Sequence, residues 1–263
     1  MSRKLTVSAV QFNIQLGNIE ANLSKAQASV RRAAERGAKL AVLPEMWSTG
    51  YDYPRLEALA DETPAVVEAL ASLSKELGMT LVGSLAEKRG SKIYNTAYVI
   101  DQGSVKGSYS KLHLFSTMRE DRYLASGDDY LVVDTGAGRL GLGICYDLRF
   151  PELFRKLALE GAEIFCLPAE WPKPRQEHWR TLIRARAIEN QLFMVASNCC
   201  GLQGKLDFFG MSMLVSAWGE VLAEGGEAET ELVAEFDFAQ MEEYRTRINC
   251  FHDRRPEVYG HLP

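Results

Sequence analysis

The chain is expected to fold as a single α/β domain over residues 1–263, and three observations carry that expectation. Strand-like and helix-like hydrophobic patterns interleave from one end to the other instead of falling into separate blocks, as they do when strands and helices pack in layers. No Pro/Ser/Gly-rich linker, internal repeat or low-complexity tract divides the chain. With 263 residues, 46% of them hydrophobic and 25% charged, it can bury a large core without disulfides or metals.

The elements follow in order. Leu5, Val7, Ala9 and the run Val10–Phe12 read as a first strand. Residues 19–36 place Ile19, Leu23, Ala26, Val30 and Ala33 on one helical face, and Gly37 stops that helix. Leu40–Leu43 is a short buried strand. Thr63-Pro64 opens a second helix with Val66, Val67, Leu70, Leu73 and Leu77 on its apolar face, ended by Gly78. Thr80–Ala86 and Tyr94–Ile100 read as paired strands with Gly90 and Gly103 as turn signals. Tyr130–Val133 and Leu140–Cys145 are strands joined through Gly136-Ala137-Gly138. A helix over Pro151–Leu159, a strand over Ile164–Leu167, a helix near 175–190 and a strand over Leu192–Ser197 come next. The last third is mostly strand, at Met211–Ser216, Val221–Ala223 and Leu232–Phe236, with a short helix at Gln240–Arg245.

Composition narrows the function. A formal net charge of −5 argues against nucleic-acid binding as the main activity. No segment reaches the roughly 18 apolar residues of a membrane span. Met1-Ser2-Arg3-Lys4 leads straight into an alternating strand without a signal-peptide block, so a cytoplasmic location is expected. The five cysteines are odd in number and form no Cys-x-x-Cys pair, which implies neither a disulfide framework nor a zinc site. Gly141-Leu142-Gly143 lacks the third glycine of a dinucleotide loop. No cofactor and no metal are expected.

Three segments carry chemistry. In Gly141–Glu152 an apolar run stops at Cys145 and Pro151 opens an amphipathic helix, which puts a thiol on a sharp strand-to-helix turn. Such a turn exposes a nucleophile and leaves the next N–H, that of Tyr146, free to bind an oxyanion. In Leu40–Trp47 a strand ends at Pro44 and presents Glu45 beside Trp47 and Tyr51. A carboxylate in such surroundings suits a general base near neutral pH. In Tyr109–Phe115, Lys111 lies between a tyrosine and an apolar-aromatic stretch, placed to stabilise an oxyanion or a thiolate. Each has a plainer reading by itself: a buried small cysteine, a solvated loop glutamate, a snorkelling lysine.

Together, Leu43-Pro44-Glu45-Met46, Ser110-Lys111-Leu112-His113-Leu114-Phe115 and Cys145-Tyr146-Asp147-Leu148-Arg149-Phe150-Pro151-Glu152 resemble the three signatures of the carbon–nitrogen hydrolase (nitrilase) superfamily, in its order. Pro168-Ala169-Glu170-Trp171-Pro172 and Arg184–Gln191 match the same family, so the resemblance spans essentially the whole chain. The Cys-Tyr-Asp-Leu-Arg-Phe-Pro-Glu string, the Glu-Trp-Pro segment and the tail Phe251–Glu257 are most similar to bacterial omega-amidase-type members, among them those of methionine-salvage gene clusters.

The resemblance implies a four-layer α-β-β-α sandwich, which pattern alone does not separate from a doubly wound sheet. It implies hydrolysis of an amide C–N bond through a thioester, with Cys145 as nucleophile, Glu45 as base, and Lys111 with the Tyr146 N–H at the oxyanion. It implies a second glutamate after the lysine, best matched by Glu120, with Asp121 as its neighbour. It also implies a homodimer, with residues 151–159 and the C-terminal tail as contact elements. For the substrate, Arg149 is placed to fork onto a carboxylate or else to pair with Asp147, Glu152 or another acid, and Tyr51, Trp171 and Phe115 either wall the pocket or simply pack. An omega-amide of a 2-oxo acid, such as 2-oxoglutaramate, then fits. The alternatives are a nitrilase, aliphatic amidase or N-carbamoyl amino-acid hydrolase of the same superfamily. Others are an unrelated Cys–His hydrolase using His113, His178, His252 or His261, and a silent scaffold on this fold.

Overall fold

The computed structural model describes residues 3–260; Met1, Ser2 and the candidate base His261 lie outside the described residues. Two six-stranded sheets face one another. The first runs β14 (Thr230–Asp237), β1 (Lys4–Gln11), β2 (Leu40–Val42), β3 (Thr80–Arg89), β4 (Lys92–Asp101) and β5 (Ser104–Ser110). The second runs β13 (Val221–Glu224), β12 (Met213–Val215), β9 (Phe193–Asn198), β8 (Ile164–Ala169), β7 (Gly138–Leu142) and β6 (Val132–Thr135). The hairpin β10 (Cys200–Gln203) and β11 (Leu206–Phe209) stands apart. Each sheet has three parallel strands at its centre, β1-β2-β3 and β7-β8-β9, flanked by antiparallel neighbours.

Parallel centres need both faces covered, which is why Leu40–Val42 and Ile164–Ala169 are apolar at almost every position and fully buried. The outer face of the first sheet is covered by α1 (Ile19–Glu35) and α3 (Thr63–Leu77). Ala26, Val30 and Ala33 from one helix and Val66, Leu70 and Leu73 from the other pack with Val10, Ala41, Leu43 and Leu81. The second sheet is covered by α5 (Pro151–Leu159) and α6 (Gln176–Asn190), through Leu153, Phe154, Leu157, Trp179 and Ile183. Between the sheets Val7, Ala9, Val42 and Val82 meet Leu140, Ile164, Cys166 and Val195. The architecture is therefore the four-layer α-β-β-α sandwich. Small helices α2 (Leu56–Ala60), α4 (Glu120–Tyr123), α7 (Phe238–Arg247) and α8 (Pro256–Tyr259) complete it.

The local rules account for the boundaries. Asn18 accepts from the Ala21 N–H and starts α1, and Pro151 sits in the first turn of α5. Gly78 ends α3 at φ +60, a conformation cheap only for glycine. The strand expected at Tyr130–Val133 lies two residues later, over Val132–Thr135, because it pairs with Gly138–Gly141. The strand expected to reach Cys145 stops at Leu142, and Met211–Ser216 narrows to Met213–Val215. Strand β5 and the β10–β11 hairpin are elements that hydrophobic alternation did not reveal. No helix is long and apolar enough to cross a membrane among the described residues.

Candidate active site

The site lies where the carboxyl ends of strands from both sheets converge, the usual ligand position of α/β sheets. Glu45 follows β2, and its N–H donates to the Ala169 carbonyl of β8 (3.3 Å), so it already bridges the sheets. Lys111 follows β5 and is fixed by its own N–H on the Asn95 carbonyl, 2.9 Å away. Cys145 begins a 3₁₀ turn, Cys145–Arg149, with φ +45. A non-glycine residue rarely adopts that conformation, and a strained nucleophile turn is the setting in which it recurs. Met46, next to Glu45, has φ +44.

The Glu45 carboxylate is sealed from solvent and accepts four hydrogen bonds. Oε1 accepts from the Tyr51 hydroxyl (2.6 Å), Asn95 Nδ2 (2.7 Å) and Lys111 Nζ (2.8 Å), and Oε2 from the Glu170 N–H (2.8 Å). Lys111, also fully buried, bridges to Glu120 at 2.9 Å from Oε1 and 2.8 Å from Oε2. Glu120 Oε2 also accepts from the Phe115 N–H at 3.1 Å, which folds the 115–120 loop onto the lysine. Burial alone works toward a neutral Lys111 amine, but Glu120 and Glu45 outweigh it and hold its proton well above the usual lysine range. Glu120 itself is pushed up by burial against the pull of Lys111.

Cys145 is buried, and its thiol donates to the Glu170 carbonyl at 3.6 Å. Burial pushes that thiol well up, Glu45 pushes the same way, and Lys111 opposes both. That shift favours the neutral thiol over the thiolate. The N–H of Tyr146 belongs to the first turn of the 3₁₀ segment, where helical N–H groups have no acceptor in their own helix.

Several residues of the site went unread in the sequence. Asn95 lies in β4 on the buried side with Ala97 and Val99, and a polar residue in that register was the available signal. Asp147 accepts from the Tyr109 hydroxyl (2.7 Å), the Ile144 N–H (2.8 Å) and the His113 N–H (3.1 Å), and pairs with His113 Nδ1 at 2.7 Å. Residues on either side of Lys111 thus grip the turn that carries Cys145. His113 also stacks on Phe150, its ring 3.6 Å away. Glu170 is buried, and burial, then Glu45, push it well above the carboxylate range, with Lys111 and Gln203 pulling the other way.

A cavity lined by Cys145, Tyr146, Arg149, Trp171, Glu120 and Arg175 opens onto the sulfur. Of the residues expected to meet substrate or wall its pocket, Phe115, Tyr146, Arg149 and Trp171 line it. Tyr51 does not: its hydroxyl is occupied by Glu45 and its ring leans on Tyr53. Trp47, expected beside Glu45, packs instead into the helix-covered face of the first sheet against Gly83. Arg149 pairs with neither Asp147 nor Glu152; its guanidinium lies 4.7 Å over Trp171 and 3.4 Å from His178 Nδ1. No histidine among the described residues is hydrogen-bonded to Cys145; His252 is exposed beside Asp253. A wider cleft of about 480 Å³, between Tyr53–Glu57, Ser91–Ile93 and Arg122–Ala125, holds none of these groups.

Fold and site together define a carbon–nitrogen hydrolase. The carbon–nitrogen hydrolase family model matches residues 6–246, and the chain belongs to that family. It is 42% identical over 261 residues to a 2-oxoglutaramate amidase of Bacillus subtilis, covering 97% of this chain and all of that one. It is 33% identical to the human omega-amidase NIT2, with 95% of each chain covered. Among solved structures, the carbon–nitrogen hydrolase of Helicobacter pylori G27 superposes with a TM-score of 0.92 at 29% identity over 98% of both chains.

Proposed function

We propose that this chain is an omega-amidase: it hydrolyses the terminal amide of a small 2-oxo dicarboxylic acid, 2-oxoglutaramate being the reference substrate. The observation that carries the reading is Cys145 on a strained turn, in a buried site with a carboxylate and an ammonium, in a chain similar to a 2-oxoglutaramate amidase over its whole length.

The Cys145 sulfur attacks the amide carbon while Glu45 takes the thiol proton. The carbonyl oxygen becomes an oxyanion held by Lys111 and the Tyr146 N–H. Collapse breaks the C–N bond, the proton passes from Glu45 to nitrogen, and ammonia leaves a thioester on Cys145. Water then attacks the thioester carbon, Glu45 accepts its proton and returns it to sulfur, and the acid departs. Glu120 holds Lys111 against Glu45 throughout, so the ammonium stays charged and in place. The chemistry needs no cofactor or metal. We read residues 1–263 as one hydrolase domain, acting in the cytoplasm on a small molecule without nucleic-acid or membrane partners. We further propose that it works as a homodimer through α5 and the C-terminal segment.

The test is ammonia release from 2-oxoglutaramate, in parallel with a nitrile and an N-carbamoyl amino acid. Release from the omega-amide alone supports the reading. Turnover of the nitrile or the carbamoyl substrate in its place contradicts it.

A further inference from the structure

The rim of the catalytic cavity holds two guanidiniums. Arg149 and Arg175 both line it and are only half-buried, whereas Cys145, Glu120 and Glu170 on its floor are buried. Each planar fork lies over an aromatic face: Arg149 is 4.7 Å from the Trp171 ring centre and Arg175 is 5.4 Å from that of Phe115. Neither forms an ion pair with a carboxylate among the described residues, and the two charges oppose each other closely enough that Arg175 adds to burial in lowering the pKa of Arg149. Two unanswered like charges facing one cavity are electrostatically unfavourable until an anion lies between them.

The floor sets where that anion must lie. The one ammonium on the floor, Lys111, is already paired with Glu45 and Glu120, so no free cation there awaits a substrate carboxylate. Such a carboxylate is drawn to the rim instead. We propose that Arg175 completes, with Arg149, a two-guanidinium clamp on the carboxylate of the amide substrate, and so sets the preference of the site for anionic over neutral amides. The clamp rests on the amidase reading above and deepens it: the amide end reaches Cys145 while the acid end is gripped at the rim. Arginine suits the task because its flat fork both stacks on an aromatic ring and binds a carboxylate bidentately. The Arg175 carbonyl, which accepts from the Trp171 indole N–H at 3.2 Å, is untouched by a side-chain exchange, so the loop keeps its anchor.

The experiment compares succinamate with its methyl ester, an amide pair that differs in one charge. Ammonia release is followed for the native chain, Arg175→Gln and Arg175→Lys. The ratio of kcat/KM for acid over ester is expected to fall roughly tenfold or more in Arg175→Gln, as loss of a charge-assisted hydrogen bond implies, and to recover partly in Arg175→Lys. An unchanged ratio in Arg175→Gln, with both amides turned over, overturns the clamp and leaves the amidase reading standing. Calorimetric titration with succinate asks the same without turnover. Binding at least tenfold weaker in Arg175→Gln than in the native chain supports the clamp, and equal binding overturns it even if neither amide is hydrolysed and the amidase reading has failed.

Discussion

Glu45 sits at the centre of the account because four donors converge on it while the proposed mechanism has it take a proton from Cys145. Glu45→Gln keeps the shape and removes the basicity, so kcat is expected to fall by roughly 10²–10⁴, the usual worth of a positioned base, with the far-ultraviolet circular dichroism unchanged. Ammonia release by the purified variant checks it; activity within a fewfold of native would show that the base lies elsewhere. Glu170 gives a different prediction. Its folded-state pKa is raised, by burial first and Glu45 second, against the pull of Lys111 and Gln203. Between the unfolded value near ~4.3 and the raised folded value, the folded chain binds the extra proton, so stability falls as pH rises through that window. Glu170→Gln removes this term and should melt above the native chain at pH 8, the gap closing toward pH 5. Melting curves at both pH values decide it, and a variant that melts lower at pH 8 contradicts the sign.

At the scale of elements, the 3₁₀ turn of Cys145 and the segment of Lys111 are joined by one buried carboxylate, Asp147, held by Tyr109 and His113. Tyr109→Phe removes one hydrogen bond from that junction and leaves the ring. It is expected to cost about 1–3 kcal/mol, read by urea denaturation, and to lower kcat with KM nearly unchanged, since it loosens the reacting groups without touching bound substrate. An equal loss in KM would place its effect on binding instead. This junction marks where sequence reading ran out. Glu45 and Cys145 stood out because each ends an apolar run and Lys111 because it stands between a tyrosine and an apolar-aromatic stretch, but Tyr109 and Asp147 meet across 38 positions, and nothing local announces the pairing. Glu170 was legible as part of a motif, while the burial of its carboxyl was not. Strand β5, Ser-Val-Lys-Gly-Ser-Tyr-Ser, was missed because it is a mostly exposed strand at the sheet edge with little apolar alternation. The β10–β11 hairpin was missed because it turns on Gly204 and leaves Leu202 exposed. The long helices and central strands were readable because burial of one helix face, or both strand faces, writes itself directly into the hydrophobic pattern.

For the molecule as a whole, the two sheets must stay in register for strand ends from both to form one site. The Phe193 ring of the second sheet stacks on Phe236 of the first, 4.4 Å between ring centres, and meets Phe238 edge-on at 5.3 Å. Phe193→Ala is expected to cost about 3–5 kcal/mol, or roughly 2–4 °C in Tm per kcal/mol for a chain of this size. Calorimetry checks this, and a loss under about 1 kcal/mol would mean that the sheets are held mainly elsewhere. The central claim spans all three scales: one fold brings a thiol, a carboxylate and an ammonium together so that an amide is cleaved through a covalent intermediate. Its most direct test is intact-protein mass spectrometry of the native chain quenched during turnover of 2-oxoglutaramate, with peptide mapping and Cys145→Ala alongside. An adduct of substrate less ammonia on the Cys145 peptide, absent from the variant, is the predicted result; ammonia release undiminished in Cys145→Ala, with no adduct on the native chain, would contradict it.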